Sequence, residues 1–517
     1  MKLETLISHS GELLLIALKS HKSTDSLVSE YLHQKKYIGS KERKFISDIV
    51  FSTIRNLSVS AYCMELALVE FLLDDYGELD YLYLFSDISY YDESLSFAHS
   101  LIMSDTIDFE RFNQNWYKLL IASIAALIQE NQLGSSAKSI FNHLHSLYND
   151  SINLKDEIIN SICLFADVNY NLAIKIYKRI CNLYSKLKKN SETLSQRNYS
   201  ILSNDEKITF ATYSCMPLWI IDSLINIYKS TDFVLKLCNS LKEQAPTSIR
   251  VNQFLHNKEV VSNHLKSLNI QVYESKISPS ALILEKRVQL NVNPLFKEGF
   301  FEVQDEGSQL ISFALAPGKN TKILDACAGA GGKTLHIADI QQDSGKIIAF
   351  DTDFLRLKEL RKRAKKHRYN SIETLFVKNG TLPENLKGSF DFVLIDAPCS
   401  GLGTLRRLPL TKWRITSELI EKHSRKQSKL LSYFSEFVKP GGILVYSTCS
   451  FMIQENDEVV SNFLDNNPDF SPDSLLEPFA KFGVNIQFHG TDTYKITLLP
   501  SMHNCDGFFM ARLKRIY

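Results

Sequence analysis

Ile323-Leu-Asp-Ala-Cys-Ala-Gly-Ala-Gly-Gly-Lys-Thr334 reads as a short apolar strand that breaks into glycines and then opens a helix. Such a turn presents free backbone N–H groups at a helix start and lets a ligand approach the main chain closely, which makes a nucleotide-sized pocket. Alone it is a weak signal, because Gly-rich turns of this kind serve many ligands in doubly wound sheets. Three later stretches sharpen it. Ile347-Ile-Ala-Phe-Asp351 is a strand ending in an acid, roughly 20 residues after the turn, where a carboxylate can accept both hydroxyls of a ribose. Phe392-Val-Leu-Ile-Asp-Ala-Pro-Cys-Ser-Gly401 and Gly441-Gly-Ile-Leu-Val-Tyr-Ser-Thr-Cys-Ser450 are apolar strands that each deliver a cysteine to the ligand edge.

Around this core, apolar strands near 323, 347, 375, 392 and 443 alternate with helical stretches. That order predicts a C-terminal α/β, Rossmann-like domain over 299–517 with a mainly parallel sheet and its site at the strand C-termini. Upstream the composition changes sharply: residues 1–216 hold no proline and only Gly11, Gly39, Gly77 and Gly134 of the 20 glycines. With apolar residues at three- and four-residue spacing (Phe45, Ile49, Ile54, Leu57), this predicts an all-α N-terminal domain over 1–200, with Ser40 capping one helix. Between them, 201–298 reads as a helix running from Leu218 to about Leu241 and a small α+β, RRM-like module. Its pieces are an extended Ala245–Asn252, a helix at Lys258–Leu268 and strands at Gln271–Ser275 and Ala281–Glu285.

At 517 residues the chain is multidomain, and no apolar run approaches the length of a membrane span. The polar start and nine scattered cysteines without metal-ligand spacing predict a cytoplasmic protein with no metal site and no disulfide framework, and a monomer is expected. A net charge of +1 requires any contact with a polyanion to be local. The basic helix Phe354–His367 offers one such track, although a charge run is more often a solvated face.

A buried core cysteine is the usual reading of a lone Cys in an apolar run. Two thiols, each flanked by turn residues and both beside a nucleoside pocket, point to chemistry instead. A thiolate is a soft nucleophile whose pKa can be lowered by helix N-termini and nearby cations. Methylation of carbon 5 of a pyrimidine requires one, because C5 is a poor nucleophile until something adds to C6. Asp325 is expected to organise the turn or the ligand's charged end, and Cys327 to serve through its small size and backbone N–H.

The run Asp325–Thr334, the Asp-Ala-Pro-Cys-Ser-Gly segment, Arg406-Arg407 with Lys412-Trp413, and Ser-Thr-Cys-Ser with Glu455-Asn456 together carry a family pattern. Phe301-Glu-Val-Gln-Asp-Glu-Gly-Ser-Gln309, Ile249-Arg-Val-Asn252 and the ending Asp506-Gly-Phe-Phe-Met-Ala-Arg512 extend it. The chain resembles the RsmB and Sun group of S-adenosylmethionine-dependent RNA cytosine-C5 methyltransferases, densely over 245–517. Residues 1–70 resemble the NusB-like helical domain that precedes some of them. The resemblance implies that Cys449 attacks C6, that Cys399 assists elimination and that Asp396 holds the cytosine edge near the cofactor. It implies S-adenosylmethionine on Cys327, Ala328, Gly329, Ala330, Gly331, Gly332 and Lys333, with Asp351 at the ribose, Asn379 at the adenine and Asp396 adjoining. Substrate RNA, rRNA (16S) first and tRNA second, would meet Arg250, Asn252, Arg406, Arg407 and Lys412. For Arg250 and Asn252 a purely structural role stands beside that reading.

The chain departs from the family pattern at Ala330, where Pro is usual, at Asn379, where Asp is usual, and at Leu410, where an acid often stands. The Asn379 and Leu410 departures motivate an alternative, a non-catalytic RNA-binding assembly factor on the same fold. DNA cytosine methylation ranks last, since it leaves the Thr-Cys strand end unexplained.

Overall fold

The computed structural model describes residues 1–20, 22–76, 103, 114–130, 132–133, 140, 142, 153–166, 170–377, 380–488 and 491–517. They fall into two compact units, one of residues 1–244 with 405–417, the other of 245–404 with 418–517.

The first unit is helical. Leu3–Lys19 buries Leu3, Leu6, Ile7, Leu13, Leu14 and Leu18, the helical spacing of a core face. In Ser40–Arg55 the cap is Gly39, not Ser40: the Glu42 carboxylate folds back 2.7 Å onto the Gly39 N–H and makes Ser40 the first helical residue. Gln114–Gln129, Leu154–Ala166 and Tyr170–Ser195 meet the expectation of helix between 76 and 200, and much of the remaining span lies outside the described residues. Asn204–Ser214, Leu218–Tyr228 and Thr231–Lys242 also belong here, so the unit boundary falls after Gln244 and not near 200. The single helix expected from Leu218 is two, because Lys229 takes a left-handed φ of 54° and the Ser230 side chain caps the next helix. Among the described residues, no single helix is long and apolar enough to cross a membrane.

The second unit opens with a four-stranded antiparallel sheet of order β2-β3-β1-β4. Its strands are β1 (Thr247–Val251), β2 (Val272–Glu274), β3 (Ala281–Leu284) and β4 (Phe301–Val303), with helix Lys258–Ser267 packed on them through Val261 and Leu265. β4 was expected to start the α/β domain, yet its partner is β1, so the small module extends to Val303.

The larger sheet has the order β10-β12-β9-β8-β5-β6-β7, with β11 on β12. β5 (Lys322–Asp325), β6 (Lys346–Asp351), β7 (Ile372–Phe376), β8 (Phe390–Asp396) and β9 (Val438–Thr448) are parallel, as expected. β10 (Phe470–Pro472), β11 (Lys495–Leu498) and β12 (Phe508–Arg515) add an antiparallel edge that the sequence did not announce. Adjacent strand residues feed opposite cores. Ile323, Ile347, Leu394 and Val445 pack with helices Glu306–Leu315, Gly332–Ile340 and Phe354–Lys366. Leu324, Ile348, Val393 and Leu444 pack with Ser417–Ser435 and Asp457–Asn466 on the other face. The chain leaves β5 toward β6 and β7 and returns to its other side at β8, and a crevice for ligands opens at such a switch point, outside the strand C-termini.

Candidate active site

Parallel neighbours bring their last residues to one rim, and Asp396 lies opposite Ser447 in the β8–β9 register. Three residues beyond Asp396 and two beyond Ser447, the Cys399 and Cys449 sulfurs stand 3.3 Å apart. The Cys449 N–H also donates to the Cys399 sulfur, at 3.3 Å. Both cysteines are half-buried and free. The hydrogen bond to Cys449, then burial, raises the Cys399 thiol well above its ordinary range. Cys399 is therefore the sulfur that keeps its proton.

The loops around them are fixed by buried Glu455. It accepts the Ser400 N–H (2.8 Å), the Ser400 hydroxyl (2.6 Å) and the Gln427 amide (3.1 Å). Asn456 ties the other loop, accepting from Thr448 Oγ1 at 2.6 Å and donating to the Ser450 carbonyl at 3.0 Å. The Gly403 N–H donates to the Cys449 carbonyl at 2.9 Å, and a Cβ built on Gly403 would lie 2.0 Å from the Gly507 carbonyl oxygen. Only glycine permits that approach. Glu455, Asn456 and Gly507 were visible as parts of motifs, whereas Gln427, in mid-helix, gave no signal.

At the end of β8, Asp396 accepts from Lys333 Nζ (2.6 Å) and from the Ser447 hydroxyl (3.0 Å). Lys333, expected on the cofactor, is thus the partner of Asp396. At the end of β6, the Asp351 carboxylate takes the Gly329 N–H at 2.7 Å and the Asp353 N–H at 2.8 Å. Gly329 and Gly331 have φ of +53° and +88°. A Cβ on Gly329 would meet none of the described residues within 4 Å, so among them the turn is open above it. Asp325 is buried: Thr334 donates to its Oδ2 at 2.6 Å, while Oδ1 has no hydrogen-bond partner among the described residues. Burial raises its pKa to about 7, partly offset by Thr334. An open glycine turn, a carboxylate at the next strand end and an unpartnered buried carboxylate oxygen fit the amino-acid and ribose ends of S-adenosylmethionine. Asn379 lies outside the described residues.

Four of the five residues expected at the RNA are internal. Arg250, 1% exposed, gives its Nε–H to Gln304 at 2.6 Å and pairs with Asp339 at 3.7 Å. Asn252 is held by the Gly299 carbonyl (3.1 Å) and by the Tyr369 hydroxyl (3.0 Å). In the helical unit, Arg406 donates to the Gln244 carbonyl at 3.0 Å and Lys412, 2% exposed, to the Arg55 carbonyl at 3.3 Å. Burial lowers the Lys412 pKa to about 8. A cation consumed by backbone carbonyls inside a core is not offered to phosphate. Arg407 is half-buried in the same segment.

The family model for the 16S rRNA methyltransferase RsmB/F matches residues 312–514, and an RsmF/B-like ferredoxin-like domain matches 216–291. The chain is 32% identical over 320 residues to ribosomal RNA small subunit methyltransferase B of Shewanella oneidensis, covering 62% of this chain and 70% of that one. It is 30% identical over 316 residues to the probable small subunit methyltransferase B of Bacillus subtilis, 59% and 67% of the two chains. The chain belongs to the RsmB/F methyltransferase family. As an RsmB/F protein it is an S-adenosylmethionine-dependent RNA methyltransferase. Among solved structures, a methyltransferase homolog from Pyrococcus horikoshii matches with a TM-score of 0.52 and 25% identity over 61% of this chain and 100% of that one. NSun6 from the same organism, solved with SFG, matches in fold with a TM-score of 0.51 and 20% identity over 57% and 97%. The RsmB/F fold thus accounts for both the small module and the methyltransferase sheet.

Proposed function

We propose that this RsmB/F protein methylates carbon 5 of a cytosine in 16S ribosomal RNA through a covalent cysteine adduct. The observation that carries the reaction is the 3.3 Å sulfur pair on neighbouring strand ends, with Cys399 three residues beyond Asp396. The RNA class rests on the relatives' names, and a NusB-like reading of residues 1–70 would add an RNA-binding helical domain.

S-adenosylmethionine, when bound, supplies an electrophilic methyl group. The Cys449 thiolate adds to C6, and the electrons of the C5–C6 double bond move toward C5, which makes it nucleophilic. Asp396, fixed by Lys333 and Ser447, accepts the cytosine amino hydrogen and holds the ring in place. Once Cys449 is bonded to C6, its sulfur no longer makes the hydrogen bond that kept a proton on Cys399. Cys399 then releases that proton to solvent and takes the C5 proton. The C5–H electron pair restores the C5–C6 double bond and expels Cys449 as thiolate.

The test is incubation of purified protein with labelled S-adenosylmethionine and total RNA from a strain lacking the gene, followed by nucleoside analysis. Label in 5-methylcytidine of 16S rRNA is the expected result. Label at another atom overturns the reaction, and cofactor binding without turnover on any RNA favours the assembly-factor alternative.

Asp325 makes the proposed cofactor site pH-dependent. A protonated carboxyl cannot pair with the ligand's ammonium, so binding must first remove a proton held with a pKa of about 7. S-adenosylmethionine affinity should therefore rise with pH, by up to about tenfold per unit below 7, and level off above it. Titration calorimetry from pH 5.5 to 8.5 reads this directly, and Asp325→Asn should flatten the profile.

A further inference from the structure

The glycine turn is held from beneath by one helix, and that helix is held by the small module. Phe354–Lys366 packs Leu360 under Gly331, where a Cβ would lie 2.5 Å from Leu360 Cγ. One turn later, on the same face, Arg363 Nη1 donates to the Ala330 carbonyl at 2.6 Å. The N–H across that peptide bond, on Gly331, donates to the Ala328 carbonyl at 2.9 Å. The Ala330–Gly331 peptide is thus fixed at both ends, in a turn where Gly329 and Gly331 both take a positive φ open to glycine.

Arg363 is itself placed by the module. Its Nη2 donates to Glu302 on β4 at 3.0 Å, and the same carboxylate takes Lys366 Nζ at 2.7 Å and His367 Nε2 at 2.6 Å. Burial pushes Glu302 up, but its hydrogen bond from His367 and the charge of Arg363 more than offset this and hold it well below the usual carboxylate range. Two further close approaches follow, one between module and helix and one between the residue after β4 and the glycine turn. Gly299, φ +83°, brings its backbone so close that a Cβ would lie 2.4 Å from the Lys366 carbonyl oxygen. Gln304, held by Arg250, stands 3.8 Å from where a Cβ on Gly332 would be.

We propose that Arg363 is a positioning residue for the cofactor turn, and that Glu302 sets it, so that the small module governs S-adenosylmethionine affinity. The inference rests on the reading of Cys327–Lys333 as the cofactor turn. Removing a charge-assisted hydrogen bond that orients one peptide weakens ligand binding without touching the transfer step.

The test uses the full chain and calorimetric titration with S-adenosylmethionine. Arg363→Ala should weaken binding about tenfold. It should raise KM for the cofactor equally and leave kcat at saturating cofactor within about twofold. Amide exchange across 329–333 should quicken. Glu302→Gln should weaken binding about threefold, and add nothing in the Arg363→Ala background. Should Arg363→Ala fail to fold by circular dichroism, Arg363→Lys, which cannot span both acceptors, carries the same test with a loss of about threefold. Asp351→Ala is the control. Unchanged affinity in the Arg363 variant with a weakened Asp351 variant overturns the inference alone; unchanged affinity in both overturns the cofactor-turn reading with it.

Discussion

Cys449→Ala is expected to lower the rate of methyl transfer by at least about a thousandfold, roughly 4 kcal/mol in the barrier. Carbon 5 of cytosine does not attack a methyl donor unless C6 has first been loaded. The strand end supplies one sulfur in position to do that loading while its neighbour keeps the proton. The substitution removes a small, half-buried thiol, and its backbone bonds to Cys399 and Gly403 remain. S-adenosylmethionine affinity and thermal stability should therefore stay near those of the parent. Rates from labelled-methyl incorporation, set beside calorimetric cofactor titration, separate the two effects. A variant retaining more than about a tenth of the activity would remove Cys449 from the reaction.

Cys399→Ala should behave differently. Cys449 can still add to C6 and the methyl can still be transferred, but the group that takes the C5 proton is missing, so elimination stalls. The expected result is a protein–RNA species that survives denaturing electrophoresis, appears only with S-adenosylmethionine present, and holds one methyl per protein. An adduct that forms instead in Cys449→Ala would reverse the two roles. Since the Cys399 sulfur also accepts the Cys449 N–H, this variant should lose some order at the β9 end as well, and a modestly lower melting temperature is expected.

The sheet was legible because its parallel strands are buried on both faces. Ile323-Leu324, Ile347-Ile348 and Leu444-Val445 send alternate residues into two cores, so each strand reads as a continuous apolar run. The cysteine rim was legible for the same reason, since strand ends in register share an edge. The antiparallel edge was less so. Phe508-Phe-Met-Ala-Arg512 was seen as a motif, but its pairing with β9 is a contact across some 60 residues that no local pattern encodes. Basic residues misled most. Arg406 and Lys412 look like surface cations in sequence, and only tertiary structure shows the Gln244 and Arg55 carbonyls waiting for them. Residues 405–417 lie within the α/β sequence, and nothing local marks them as part of the helical unit. Arg363 was hidden in plain view, one cation in a run of seven whose reading as a solvated face holds for most of its neighbours.

The most direct test of the account is RNA substituted with 5-fluorocytosine, in which C5 carries no proton to lose and elimination cannot finish. Incubated with the parent protein and S-adenosylmethionine, then digested and sequenced by mass spectrometry, it should leave a methylated, fluorinated cytosine on the peptide containing Cys449. The same mass on the Cys399 peptide, or no cross-linked peptide at all under conditions where unsubstituted RNA is methylated, would contradict it.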